Sequence, residues 1–187
     1  MHVSRLLIVV DYQVDFVDGA LGFAGAEKLA QPIANKISEY RKRGDDVVFT
    51  FDTHGSDYLS TQEGRNLPVE HCIENTPGHK LYGAVASELL DTDKVFFKPV
   101  FGSVELFDWL RSAQRAADEA GALPFEEIEL VGLVSNICVV ANAVLVKTAC
   151  PDVPVTVDAA CTGSFDARLN EAALDTMESL QIKVANR

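Results

Sequence analysis

The chain has 187 residues, 28 Asp+Glu against 16 Lys+Arg, and a formal net charge of −12. With 48% apolar residues it can bury a sizeable core, and it does not read as disordered. So acidic a chain lacks the basic stripe of a nucleic-acid surface and is repelled by an anionic membrane.

The elements follow in chain order. Leu6–Val10 is an apolar strand ending at Asp11. A helix fits residues 32–43: Pro32 suits its first turn, Ile33, Ile37 and Tyr40 share a face, and Gly44 stops it. Val47–Phe51 is a second strand, ending at Asp52 with His54 just beyond. Residues 52–82 show little periodicity, and loops of that length inside a compact domain usually carry function. A short helix over 84–90 leads to a third strand, Val95–Phe97, ending at Lys98. Ser103 can cap a helix with Val104, Phe107 and Leu110 inward. A fourth strand starts at Ile128 and leads through Gly132 to Cys138, where an apolar helix runs to about Thr148. Val153–Val157 is a fifth strand, Leu169, Ala173, Met177 and Leu180 mark a last helix, and Ile182–Val184 is a sixth strand.

Strands alternating with helices predict one α/β domain over residues 1–187. Its expected form is a three-layer α/β/α fold around a six-stranded, mostly parallel sheet of Rossmann-like order 3-2-1-4-5-6. In such sheets the ligand crevice lies beyond the carboxyl ends of the strands. The strand ends therefore propose one site holding Asp11, Asp52 with His54, Lys98 and Cys138. The four cysteines form no CxxC pair, and the first apolar run is too short for a signal or spanning segment. The expectation is an intracellular, cytoplasmic, reduced protein.

Each residue has an ordinary reading beside its chemical one. A thiol at a helix N-terminus is expected to have a lowered pKa, yet most cysteines are structural, as Cys150 and Cys161 are expected to be. Asp11 reads as a turn residue or a general base, and Lys98 as a surface charge or a cation orienting the carboxylate. Asp52, His54, Glu63 and His71 offer carboxylate and imidazole groups that suit Zn²⁺, Fe²⁺ or Mn²⁺. Their spacing is no standard zinc signature, so a metal site and a plain polar loop stand level. His2 and His79 read as incidental. No GxGxxG, GxxxxGK[ST] or GxSxG motif is present.

Five segments together resemble the isochorismatase-like cysteine hydrolases, the family that includes nicotinamidases. They are Leu7–Phe16 with its D-x-Q-x-D-F, Asp52-Thr53-His54, Leu67 to Gly78 with His71-Cys72, Lys98, and Gly132 to Val139. The resemblance implies a triad of Asp11, Lys98 and Cys138, and an oxyanion hole from the backbone N–H groups of Val134 and Cys138 across a cis Leu133–Val134 peptide. It implies a divalent metal, commonly zinc, on Asp52, His54 and His71, with Glu63 as a further ligand. Phe16, Leu67 and Leu133 would touch substrate, with Tyr58 or Phe23 as another wall. Leu67 stands where nicotinamidases often carry an aromatic residue, and the segment before His71 is one residue longer. The implied substrate is a small amide, nicotinamide first, with a place in NAD salvage and a homo-oligomeric state. Three rival readings go with it. A related hydrolase of carbamoyl or ureido compounds would keep the triad. A vinyl-ether-cleaving isochorismatase usually lacks the cysteine. A non-enzymatic protein on the same fold would have no reason to keep all three groups.

Overall fold

The computed structural model describes residues 3–187, so His2 lies outside the described residues. β1 (Leu6–Val10), β2 (Asp46–Asp52), β3 (Lys94–Lys98), β4 (Ile128–Leu133), β5 (Val155–Gly163) and β6 (Lys183–Ala185) form one sheet in the order β3-β2-β1-β4-β5-β6. Every neighbouring pair is parallel.

Alternation along β1 shows how the layers form. Leu6, Ile8 and Val10 pack with Leu106 and Leu110 of α5 (Val104–Ala120), Ala143 and Val146 of α6 (Val140–Ala149), and Leu174 and Met177 of α7 (Ala167–Ser179). Leu7 and Val9 face the other way. They pack with Ile33, Ile37 and Tyr40 of α2 (Ala30–Arg43) and Val85 of α4 (Gly83–Glu88). Successive strand side chains point to opposite faces, so a central strand must be apolar throughout, and β1 is. The sheet order reverses between β1 and β4, which opens the crevice there. Gly132 is required at that point. Its φ is 110°, and a Cβ would lie 2.0 Å from the Val10 carbonyl oxygen.

Some boundaries and faces differ from expectation. β5 runs to Gly163 rather than stopping at Val157. Val104 is 65% exposed, because the helix turns Leu106 and Leu110 to the core and leaves its first residue outside. Leu180 is 43% exposed beyond the end of α7, and Leu174 fills the core in its place. The long segment after β2 contains α3 (Gln62–Asn66), capped by the Thr61 hydroxyl, and short 3-10 turns. All four cysteines are free and buried. Among the described residues, no helix is long and apolar enough to cross a membrane.

A polar clip ties α2 to the sheet. Lys36 Nζ lies 2.8 Å from both Glu129 Oε1 on β4 and Asp158 Oδ2 on β5, and the Tyr40 hydroxyl donates to Glu129 Oε2 at 2.7 Å. Burial disfavours the Asp158 carboxylate, but Lys36 and Asn186 more than compensate and hold its pKa below the ordinary range. A carboxylate depressed in the fold contributes stability above its unfolded pKa, and loses it as pH falls through its folded value. Wild type is therefore expected to be more stable than Asp158→Asn at neutral pH, and to lose that advantage below about pH 4. Urea denaturation of both proteins across pH checks this.

Candidate active site

β1 ends at Asp11, whose φ of 42° places a non-glycine residue in the left-handed region. Such a conformation costs about 1–3 kcal/mol and persists where its surroundings fix it. Here the Thr50 hydroxyl donates to Asp11 Oδ1 at 2.6 Å and Lys98 Nζ sits 2.6 Å from Oδ2. The Lys98 ammonium is buried and also reaches the Val100 carbonyl (3.1 Å), Asp52 Oδ1 (3.4 Å) and Cys138 Sγ (3.5 Å). Asp11, Lys98 and Cys138, which are 127 residues apart from first to last in a chain of 187, thus share one buried contact.

Cys138 does not open an α-helix. It lies within a single π turn, Ser135–Val139, that precedes α6. Such turns recur at functional sites. The Leu133–Val134 peptide before it is cis. Ile137 N–H and Val139 N–H both donate to the Val134 carbonyl at 3.1 Å, and neither the Val134 nor the Cys138 N–H is a donor in those bonds.

The electrostatics reverse one expectation. Burial, followed by the neighbouring Asp11 charge, raises the Cys138 thiol well above its ordinary pKa despite the opposing Lys98 charge. A thiol enclosed beside a carboxylate is held neutral at rest, and the start of a helix does not overcome that. Burial also raises Asp11; Lys98 pulls it back and Asp52 raises it again. The result is a proton-bearing thiol beside a carboxylate more basic than an exposed aspartate.

The second cluster adjoins the first. Asp52, His54 and His71 are buried, and one ligand atom from each lies within 4.8 Å of the others. His54 Nε2 is 2.9 Å and His71 Nε2 3.4 Å from Asp52 Oδ2. His71 Nδ1 faces the Val69 carbonyl at 2.8 Å, an arrangement that leaves Nε2 its lone pair, while buried His54 Nε2 has no well-formed hydrogen bond. Two imidazoles and a carboxylate converging with an unsatisfied nitrogen fit a divalent metal. Glu63 Oε1 stands 3.8 Å from both His Nε2 atoms, at the rim of the trio. Burial raises its pKa, and the Asp52 charge adds to that. His79 stays outside: it pairs with Thr53 Oγ1 at 2.8 Å and stacks on Phe97.

The D-x-Q-x-D-F segment stitches these loops together. Gln13 Nε2 donates to the carbonyls of Asp52 and His79, both at 2.9 Å, and its Oε1 accepts from Asp52 N–H at 2.8 Å. Asp15 Oδ2 accepts from Cys72 N–H at 2.7 Å, fixing the strand of loop that carries His71. Fully buried Asn142, which sequence reasoning passed over, does the same across the site. It donates to the carbonyls of Cys138 (2.8 Å) and Phe101 (3.1 Å) and accepts from Ser103 N–H (2.9 Å). Its only sequence signal is a lone amide in an apolar helix. Asn142→Leu would take the side-chain partner from two buried backbone groups, the Cys138 carbonyl and the Ser103 N–H, at about 1–3 kcal/mol each. Urea unfolding is expected to show a loss of about 2 kcal/mol or more.

Between the Cys138 thiol and the His71 imidazole lies a chamber of about 40 Å³ whose walls also include Asp52, Glu63 and Phe101. Phe16, Leu21, Leu67, Val134 and Ile137 line both it and an outer vestibule of about 500 Å³. Phe16 and Leu67 thus line both spaces. Leu133 does not line either space; it is buried in the core and Val134, one residue on, takes the wall. Tyr58 backs the two histidines, with ring centroids 4.6 and 4.9 Å from theirs, and Phe23 packs near Gly163; neither lines the chamber.

The profile of the isochorismatase domain matches residues 5–187. The chain belongs to the isochorismatase family. A nicotinamidase of Schizosaccharomyces pombe is 26% identical over 173 residues, covering 76% of each chain. Among solved structures, a nicotinamidase/pyrazinamidase from Bacillus subtilis aligns at a TM-score of 0.82 and 26% identity, over 98% of this chain and 100% of that one. A pyrazinamidase of Pyrococcus horikoshii, solved in complex with zinc, aligns at 0.80 and 25%, over 98% and 99%.

Proposed function

We propose that this protein is a hydrolase of carbon–nitrogen bonds that cleaves a small carboxamide, nicotinamide first, through a thioester on Cys138. The observation that carries this is the buried contact of Asp11, Lys98 and Cys138 against a chamber that Asp52 and His71 of the second cluster also line. Membership of the isochorismatase family and likeness to nicotinamidases support it.

Asp11 takes the thiol proton as Cys138 Sγ bonds to the amide carbon. Lys98 holds its charge beside both groups throughout; burial opposes that charge, but Asp11, Cys138 and Asp52 keep its pKa above the ordinary lysine value. The Val134 and Cys138 N–H groups donate hydrogen bonds to the developing oxyanion. Asp11 returns its proton to the nitrogen, the carbon–nitrogen bond breaks, and ammonia leaves a thioester. Water then attacks with Asp11 as base, the carbon–sulfur bond breaks, and the acid departs with the thiol restored.

Asp52, His54 and His71 would hold a divalent metal, with Glu63 near enough to assist. A cation there supplies an electron-pair acceptor for a ring nitrogen of the substrate. Elemental analysis is expected to find about one divalent ion, preferably zinc, per chain, and His71→Ala should lose it. Chelation should raise KM for nicotinamide far more than it lowers kcat. Equal KM after complete metal removal would contradict the anchoring role.

The test of the proposal is ammonia release from nicotinamide, pyrazinamide and aliphatic carboxamides. Release from nicotinamide or pyrazinamide is expected; release from no amide would refute the amidase reading.

A further inference from the structure

We infer that the substrate is a neutral carboxamide carrying an apolar group on the side away from the amide, an inference that rests on the amidase reading above. The inner chamber, at about 40 Å³, is the smaller of the two spaces and the one that Cys138 lines. The reacting amide enters it to reach the thiol. Its apolar walls continue without a break into the vestibule of about 500 Å³, which lies in the range of small-molecule sites. A group projecting from the substrate on the side away from the amide therefore sits there.

The vestibule's chemistry sets what that rest can be. Beyond the five shared residues it is lined by Ala20, Gly22 and Phe165. No side chain lining it carries a charge or a hydrogen-bonding group. Phe165 is 63% exposed and Leu67 38%, so an apolar group seated between them removes hydrocarbon surface from water. A carboxylate in the same place would find no positively charged side chain among those that line it. The nearest buried cation, Lys98, is already paired with Asp11 at 2.6 Å. Carbamoyl amino acids, which keep a carboxylate beside the scissile group, are excluded on the same ground.

Steady-state ammonia release tests this with three probes. They are nicotinamide, the nicotinamides bearing a propyl group at each ring carbon in turn, and N-carbamoylglycine, each with wild type, Phe165→Ser and Leu21→Ser. At least one propyl compound is expected to exceed nicotinamide in kcat/KM by about tenfold or more. N-carbamoylglycine should fall about tenfold or more below nicotinamide in kcat/KM, because its carboxylate finds no cation in the vestibule. Both variants should bring the propyl-to-parent ratio toward one. Turnover of nicotinamide with no propyl compound ahead of it, or N-carbamoylglycine turned over as well as nicotinamide, overturns the inference and leaves the amidase reading standing. No ammonia from any probe overturns both.

Discussion

Cys138→Ala is expected to lower ammonia release from the best carboxamide by on the order of 10⁴-fold or more while leaving the protein folded. Removing a nucleophile takes away the covalent route altogether, and losses of that order are typical where catalytic groups act as a unit. The fold should survive because the thiol is one small member of a large core face that includes Val139, Ala143 and Val146. Asp11→Asn should be nearly as inactive, since the buried thiol needs a base to become nucleophilic. The double variant should lose little beyond either single one. Activity in Cys138→Ala within tenfold of wild type would rule out the covalent route.

Lys98→Met is the second large effect, and it falls on stability as well as rate. One ammonium stands between two buried carboxylates, 2.6 Å from Asp11 and 3.4 Å from Asp52. Removing one member of a buried ion pair costs about 3–5 kcal/mol, because the remaining charge has no partner. Here two like charges are left facing each other, so one of them takes up a proton. Asp11 is the candidate: burial already raises it, whereas the adjoining His54 and His71 imidazoles help hold Asp52 low against its own burial. A protonated Asp11 cannot accept the thiol proton. Lys98→Met should therefore lose about 3 kcal/mol or more in urea unfolding and about a thousandfold or more in rate. Adding Asp11→Asn should recover much of the stability and none of the rate. Full stability in the single variant would show that the ammonium is not what holds the two carboxylates together.

The strand ends were legible because parallel strands announce themselves as apolar runs, and because a sheet of this kind gathers its chemistry at one edge. Asp11, Asp52 and Lys98 all lie at such ends. The loop after β2 was legible only through its motifs. Its order comes from Gln13, Asp15 and Thr61 pairing with backbone groups, and that leaves no hydrophobic period to read. The π turn at Cys138 escaped because one extra residue in a helical turn does not alter the apolar pattern. The direction of the Cys138 pKa depends on burial beside Asp11, a contact between residues 127 apart that no local window contains. Leu133 and Val134 are equally apolar, and only the backbone path decides that Val134 faces the chamber.

The covalent intermediate on Cys138 is the centre of this account. Rapid acid quench of wild type turning over nicotinamide, followed by peptide mass spectrometry, reads it directly. A nicotinoyl group on the peptide containing Cys138, absent from Cys138→Ala and released by hydroxylamine, is the predicted result. Ammonia release at the wild-type rate with no acyl group on Cys138 at any quench time would contradict it.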